Sequence, residues 1–245
     1  MSRFFVSREN IFEDQITITD PEDLRHITKV LRLRPGDEID VSDSAEFEYH
    51  VEILSLTSDV VSARILDKQA FAREPQLRVT LFQGVPKQGK MEEIIQKSTE
   101  LGVHEICPVF THRSVVTETK NTGKKTERWQ RVASEAVKQC RRGLIPVVRE
   151  PGHLKDLLEE FSRYDLVLFP YEDEQEKSIK EVLRSLPEKP ETVAVFIGPE
   201  GGFSEEEAKQ VIKAGGVSVS LGKTILRTET AGPAALAMIF YEWEL

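Results

Sequence analysis

Cysteine is scarce in this 245-residue chain. The two present, Cys107 and Cys140, lie far apart without metal-type spacing, which argues against a disulfide framework or a zinc site. The five histidines form no ligand cluster, so no metal is expected. No apolar run approaches the roughly 20 residues needed to cross a bilayer, and no basic-then-apolar signal opens the chain. A cytoplasmic location without a membrane partner is the expectation. Internal repeats and low-complexity segments are also missing.

What the chain does hold is charge, at 31% of residues against 39% hydrophobic, a balance typical of a globular protein. The formal net charge of -9 argues against a nucleic-acid partner, because binding RNA requires Lys and Arg to neutralise phosphates. The total hides a segregation. Residues 1–70 carry 8 basic and 15 acidic side chains, residues 84–149 carry 13 and 7, and residues 150–245 carry 10 and 19. The basic middle reads either as a solvated helix face or as a surface for a phosphate backbone. Lys87, Lys90, Arg113, Lys120, Lys124, Lys125, Arg128, Arg131, Lys138, Arg141 and Arg142 fall largely in expected loops and helix ends.

Turn signals divide the chain. Up to about residue 72, short strand patterns (Glu38–Ser42, Glu48–Leu56, Val60–Leu66) fit a small β-barrel, with a helix over Asp20–Val30 capped by Asp20 and started by Pro21. A linker is expected over Lys68–Gln76. Beyond it, strands at Leu77–Gln83, Val103–Phe110, Asp165–Phe169 and Thr192–Ile197 alternate with helices at Met91–Leu101, from Thr126 to before Gly143, and near Glu176–Leu186. That rhythm predicts an α/β fold, a parallel sheet with helices on both faces.

One junction stands out. The apolar run Thr192–Ile197 stops at Gly198-Pro199-Glu200-Gly201-Gly202-Phe203, and Ser204 with Glu207 then offers a capping box for a new helix. Loops at such strand ends hold ligands in α/β proteins, although a plain tight turn would read the same way. The spacing is neither G-x-G-x-x-G nor G-x-x-x-x-G-K-[ST], and Glu200 would repel a phosphate, so a nucleotide phosphate is disfavoured. A further strand at Ser218–Gly222 runs into a second polar loop, Lys223 to Pro233, ahead of a last apolar helix through about Phe240.

G-P-E-G-G-F-S followed by L-G-K-T-I-L-R-T-E-T-A resembles the bacterial 16S ribosomal RNA uridine-N3 methyltransferases of the SPOUT superfamily. The resemblance extends through Lys87-Gln88-Gly89-Lys90-Met91, Gln96–Gly102, Arg128-Trp129 and on to Pro146. It reaches Arg3-Phe4-Phe5-Val6 and His26–Arg32 near the start, and so spans essentially the whole chain. Gln139, Cys140, Arg142 and Pro146 match a further family pattern, and Arg141 stands where a glycine is frequent.

The resemblance implies a PUA-like RNA-binding barrel over residues 1–72 and a SPOUT methyltransferase domain over residues 73–245. It also implies a carboxy-terminal trefoil knot and a homodimer. The cofactor would be S-adenosyl-L-methionine, which carries no phosphate. Phe169, Ile197, Gly198, Pro199, Glu200, Gly201, Gly202, Leu221, Gly222, Ile225, Leu226, Arg227, Thr228 and Ala231 would bind it. Backbone groups of Leu221, Ile225 and Leu226 would read the adenine edge, and the side chains of Ile197, Leu221, Ile225 and Leu226 would enclose its faces. The reaction implied is methylation of N3 of one uridine in 16S ribosomal RNA within the small subunit. Arg227 would stabilise charge, and Glu229 and Glu200 would act as bases or orienters. Arg3, Lys29, Arg32, Arg34, Lys87, Lys90, Arg113 and Arg142 would contact RNA. Two other readings stay open: methylation of a ribose 2'-hydroxyl or another base of ribosomal or transfer RNA, and a non-catalytic RNA-binding ribosome-assembly protein.

Overall fold

A computed structural model describes residues 3–71, 74–87, 89–114 and 122–245. The expected domain boundary at 72/73 lies outside the described residues, as do Gln88 and Lys120. The chain forms two compact units, one of Met1–Glu74 with Val137–Ile145, the other of Pro75–Ala136 with Pro146–Leu245.

In the first unit, β1 (Arg3–Phe5), β2 (Gln15–Ile18), β3 (Glu38–Ser42), β4 (Phe47–Leu56) and β5 (Val61–Ala70) form one sheet in the order β1-β3-β4-β5-β2. Every pairing is antiparallel except β1 with β3. Alternation supplies its core: Ile16 and Ile18, Ile39 and Val41, Val51 and Ile53, and Val61 and Ala63 all point inward. Between β2 and β3, α1 (Pro21–Arg25) starts as expected, with the Asp20 carboxylate accepting from the N–H groups of Glu22 and Asp23. It runs on into a single π turn, His26–Val30. β5 extends to Ala70, so the first part of the expected linker is strand.

The second unit is a parallel sheet. Its strands are β6 (Arg78–Gly84), β7 (Glu105–Phe110), β8 (Val147–Val148), β9 (Gly152–His153), β10 (Leu166–Pro170), β11 (Thr192–Ile197) and β12 (Val217–Val219). They run in the order β12-β10-β11-β6-β7-β8, with β9 also pairing β7, and every pairing is parallel. The central strands are apolar on both faces because both are covered. Val79, Leu81, Val193, Val195 and Ile197 meet α2 (Lys90–Glu100), α3 (Thr122–Cys140), α5 (Ile179–Ser185) and α7 (Thr228–Trp243). Phe82, Phe169, Ala194 and Phe196 meet α4 (Leu154–Leu158) and α6 (Glu205–Lys213).

Two helix starts differ from the sequence expectation. Thr126 does not cap α3 but lies inside it, its hydroxyl donating to the Thr122 carbonyl at 3.3 Å. α7 begins at Thr228 instead of after Pro233, because the N–H groups of Thr230 and Ala231 both reach the Arg227 carbonyl at 2.8 Å. Pro233 is then inside the helix, where it withholds the donor that would meet the Glu229 carbonyl.

Cross-strand chemistry in the first unit makes its stability depend on pH. His50 on β4 pairs with Asp40 on β3, and its ring nitrogens lie 3.0 Å from Asp40 and 2.8 Å from Glu38. Hydrogen bonds to Asp40 and then Glu38 raise its pKa above the ordinary 6.5. The stabilisation is therefore complete below pH 6.5 and is lost as pH rises through the raised value. Urea unfolding midpoints should show the native protein gaining about 0.5–1 kcal/mol between pH 9 and pH 6 relative to His50→Gln, a size set by the partial exposure of the pair. Parallel pH curves for the two proteins would contradict the assignment.

Candidate functional site

The loops following β12, β10, β11 and β6 leave the carboxyl ends of four neighbouring parallel strands, the edge where open α/β sheets hold ligands. The β11 loop is rigidly built. Gly202 N–H donates to the Pro199 carbonyl at 2.9 Å, and Gly202 takes φ +64°, a left-handed turn that suits glycine. Underneath, Gly84 at the end of β6 lets Pro199 sit against backbone: a Cβ there would fall 2.6 Å from Pro199 N and Cδ. The capping box of α6 forms as expected between Ser204 and Glu207. Glu207 also accepts from His112 N–H at 2.6 Å, and Arg113 Nη1 donates to the Gly201 carbonyl at 3.0 Å.

The β11 and β12 loops are tied together at the first residue of α7. Thr228 Oγ1 donates to the Gly198 carbonyl at 2.6 Å and accepts from Gln83 Nε2 at 2.8 Å. Gln83 carries no signal in the sequence. It reads there as one more position of an apolar strand, and only a buried amide at the strand's last turn marks it.

Electrostatics converge on Lys90, at the start of α2. Its ammonium lies 3.2 Å from Glu200 and 3.2 Å from Glu229, and these partners raise its pKa. Burial pushes the Glu200 carboxyl up, but its own backbone N–H, Lys90 and the Lys87 N–H (3.1 Å) outweigh that and lower it. Glu229 is lowered first by its own backbone N–H and then by Lys90. Both carboxylates are ionised at neutral pH, and the clamp is lost only as pH falls through their lowered values. A carboxylate held this way is a weak proton acceptor and a good orienter of a cation or of N–H and O–H donors.

The expected site residues do not all share this edge in the same way. Gly198, Pro199, Glu200, Gly201, Gly202, Thr228 and Glu229 meet around the linked loops. Ile197 and Ala231 are buried in the core, with Leu221 and Leu226 packed half-buried against it. Gly222 is exposed. Ile225 is 85% exposed, so its side chain encloses nothing within this chain. Phe169 is fully buried, stacked on Tyr171 and packed on Phe203, which leaves its ring a core element and not a wall. Arg227 is exposed and forms no ion pair with Glu229 or any other described carboxylate.

Among the expected RNA contacts, Lys29, Arg32, Arg34, Lys87 and Arg113 are exposed. Lys90 is committed to Glu200 and Glu229, and Arg3 to Glu48 at 2.7 Å and the Arg141 carbonyl at 2.9 Å. Arg142 is corrected outright. It is 6% exposed, with Nη2 2.8 Å from Glu74, whose carboxylate also accepts from the N–H groups of Gly143 and Leu144. Reaching a phosphate would strand that buried anion. Arg141 takes φ +63°, the conformation that the glycine frequent at this position would adopt without strain.

Residues 73–240 match the family model described as an RNA methyltransferase domain, and residues 18–66 match that of an RNA methyltransferase PUA domain. The chain is 35% identical to the ribosomal RNA small subunit methyltransferase E of Bacillus subtilis (strain 168), across 100% of this chain and 98% of that one. Among solved structures it resembles a ribosomal RNA small subunit methyltransferase E from Neisseria gonorrhoeae bound to S-adenosyl methionine, with 30% identity, TM-score 0.85, and 99% and 98% of the two chains covered. It also resembles a putative methyltransferase from Legionella pneumophila in complex with the cofactor SAM, with 32% identity, TM-score 0.83, and 98% and 96% covered.

Two substitutions test the geometry. Gly84→Ala should lower stability by about 1–3 kcal/mol, the usual cost of overpacking, and should disturb the amide resonances of Gly198–Gly202 first. Arg142→Ala should cost about 3–5 kcal/mol in chemical denaturation, since it leaves Glu74 buried and unpaired. A stable Arg142→Ala protein with weakened RNA binding would restore the phosphate role.

Proposed function

The chain belongs to the ribosomal RNA small subunit methyltransferase E family, and on that premise we propose that it transfers the methyl group of S-adenosylmethionine to N3 of one uridine in 16S ribosomal RNA. The observation that carries this reading is the pair of linked loops at the carboxyl edge of the parallel sheet, joined by Thr228 and Gly198 and lined by carboxylates. No phosphate spacing is present, and S-adenosylmethionine is a phosphate-free cation. The residues present fit it. The backbone of Gly201 is exposed and that of Gly198 half-buried, half-buried apolar surface is at hand in Leu221 and Leu226, and Glu200 and Glu229 are ionised.

The cofactor supplies a methyl group on a sulfonium centre, and the chain's own groups do the rest. Glu200 and Glu229, anchored by Lys90, orient donors and offset positive charge at the loop. Uridine N3 must shed its proton as the methyl arrives, and a guanidinium can hold the anion that develops on the base. Arg227 meets that need because it stands at the cap of α7, exposed and unpaired among the described residues. The two ionised glutamates then orient, and a group of higher pKa or solvent takes the proton.

The same reading assigns residues 1–72 to a PUA-like RNA-binding barrel and residues 73–245 to a trefoil-knotted SPOUT domain. It makes the protein a cytoplasmic homodimer acting on the small ribosomal subunit. The matches over residues 18–66 and 73–240 support the division, and the anchoring of Thr228 on the Gly198 carbonyl supports a carboxy-terminal segment wound against the β11 loop.

The test is incubation with S-adenosylmethionine and undermodified small subunits, followed by reverse transcription. An N3-methyl blocks Watson-Crick pairing, so a new stop should appear at one uridine. Arg227→Ala should slow that transfer by about 100-fold or more without changing the circular dichroism spectrum. Methyl incorporation on ribose without a stop would replace this reading with the 2'-hydroxyl one.

A further inference from the structure

The amide of Gln83 can point only one way. The Gly198 carbonyl is purely an acceptor, so the Thr228 hydroxyl, 2.6 Å away, must donate its one proton to it. Thr228 Oγ1 is thereby left to accept, and Gln83 Nε2 at 2.8 Å supplies the donor while also donating to the Gly84 carbonyl at 3.0 Å. Turned over, the carboxamide oxygen would face the Gly84 carbonyl, acceptor against acceptor.

This orientation carries a penalty. Gln83 is completely buried, and its Oε1 has no hydrogen-bond partner, packed where even a Cβ on Gly232 would come within 3.3 Å. An orphaned buried acceptor is destabilising, and an aliphatic side chain would avoid it. The two bonds donated by Nε2 offset that penalty at best in part, so stability alone is a weak reason for the amide. What it does is fix, through Thr228, the direction of the Gly198 carbonyl and the separation of the β11 loop from the start of α7.

We propose that Gln83 and Thr228 are positioning residues for the cofactor, a one-way relay Gln83 to Thr228 to Gly198 that holds the two loops in their binding geometry. The inference rests on the S-adenosylmethionine reading above. Neither residue need touch the reacting atoms. Each acts through the Gly198 backbone.

Calorimetric titration of the full chain with S-adenosylmethionine at pH 6 and pH 8.5 tests it. Each variant is compared with the native protein at the same pH, because the cofactor's own α-amino group titrates between the two. Thr228→Val keeps the shape and loses the relay, and should bind at least about tenfold more weakly, the size of one lost buried hydrogen bond. Thr228→Ser keeps the hydroxyl and should stay within about twofold of native. Gln83→Glu should bind weakly at pH 8.5, where a carboxylate cannot donate, and recover at pH 6 as burial favours its protonated form. Should Gln83→Glu fail to fold, the Val and Ser pair at Thr228 decides. A merely structural role predicts lower melting temperatures with affinity unchanged, so folded Thr228→Val binding within about twofold of native at pH 8.5 would overturn the proposal. Absence of binding by the native protein would instead remove the cofactor reading, and the relay's purpose with it.

Discussion

The contact on which the site depends is between two stretches of backbone, Gly84 at the end of β6 and Pro199 in the loop after β11. β6 and β11 pair in parallel over Arg78–Gln83 and Thr192–Ile197, so their ends emerge side by side. A loop leaving β11 can turn across the end of β6 only if β6 finishes in a residue without a side chain, and Gly84 does. From that seat the Gly198 carbonyl is within reach of Thr228, Glu200 is within reach of Lys90 and the Lys87 N–H, and Gly201 is within reach of Arg113. Each of these bonds joins segments more than 25 positions apart in sequence. Once the loop is seated they reinforce one another, and without the seat none is geometrically available.

Charge is arranged with the same economy. Two carboxylates facing each other would repel, and one would take up a proton. Each glutamate's own backbone N–H, together with the ammonium of Lys90 between them, prevents that and keeps both ionised. Because Lys90 sits in the first turn of α2, where the helix dipole disfavours a cation, the two glutamates also offset its own placement. The arrangement keeps two ionised carboxylates at the loops while confining the lysine.

What could be read from the sequence followed the range over which each signal acts. Strands such as Glu38–Ser42 and Thr192–Ile197, the Asp20 cap and the Ser204 capping box came out as expected, because hydrophobic alternation and capping are decided within a few residues. β1 and β2, too short for a periodic pattern, did not. Pro233 reads as a boundary and so predicts too late a start for α7, whereas Thr228 is held in helix by contacts from β6 and β11. Of the site, the two loops were visible as glycine-rich interruptions. Gln83 was not, since nothing local distinguishes a buried glutamine that serves a neighbouring loop.

The basic middle shows most clearly what a count along the chain leaves out. Lys90 pairs with Glu200 and Glu229, Lys97 with Glu93, Arg128 with Glu92, Lys138 with Asp23, Arg142 with Glu74 and Arg149 with Glu160. Lys97 and Arg128 pair within the segment, while Lys90, Lys138, Arg142 and Arg149 meet carboxylates from outside it, so much of the surplus is already offset. Releasing counterions from RNA phosphates requires cations that are not already neutralised. In the acidic first unit, by contrast, Arg25, Lys29, Arg32 and Arg34 are exposed, and none has a carboxylate of the described residues within 4.0 Å of its charged group. They are spaced along α1, the π turn and the segment after it, with Arg32 at φ +55°, a backbone state rare for a side chain of its size. On the proposed function, these unpaired cations offer phosphate a surface in the first unit even though acidic side chains outnumber basic ones there. Net charge by segment predicts nothing about it, because what a phosphate meets is the unpaired residue of each local balance and not the sum.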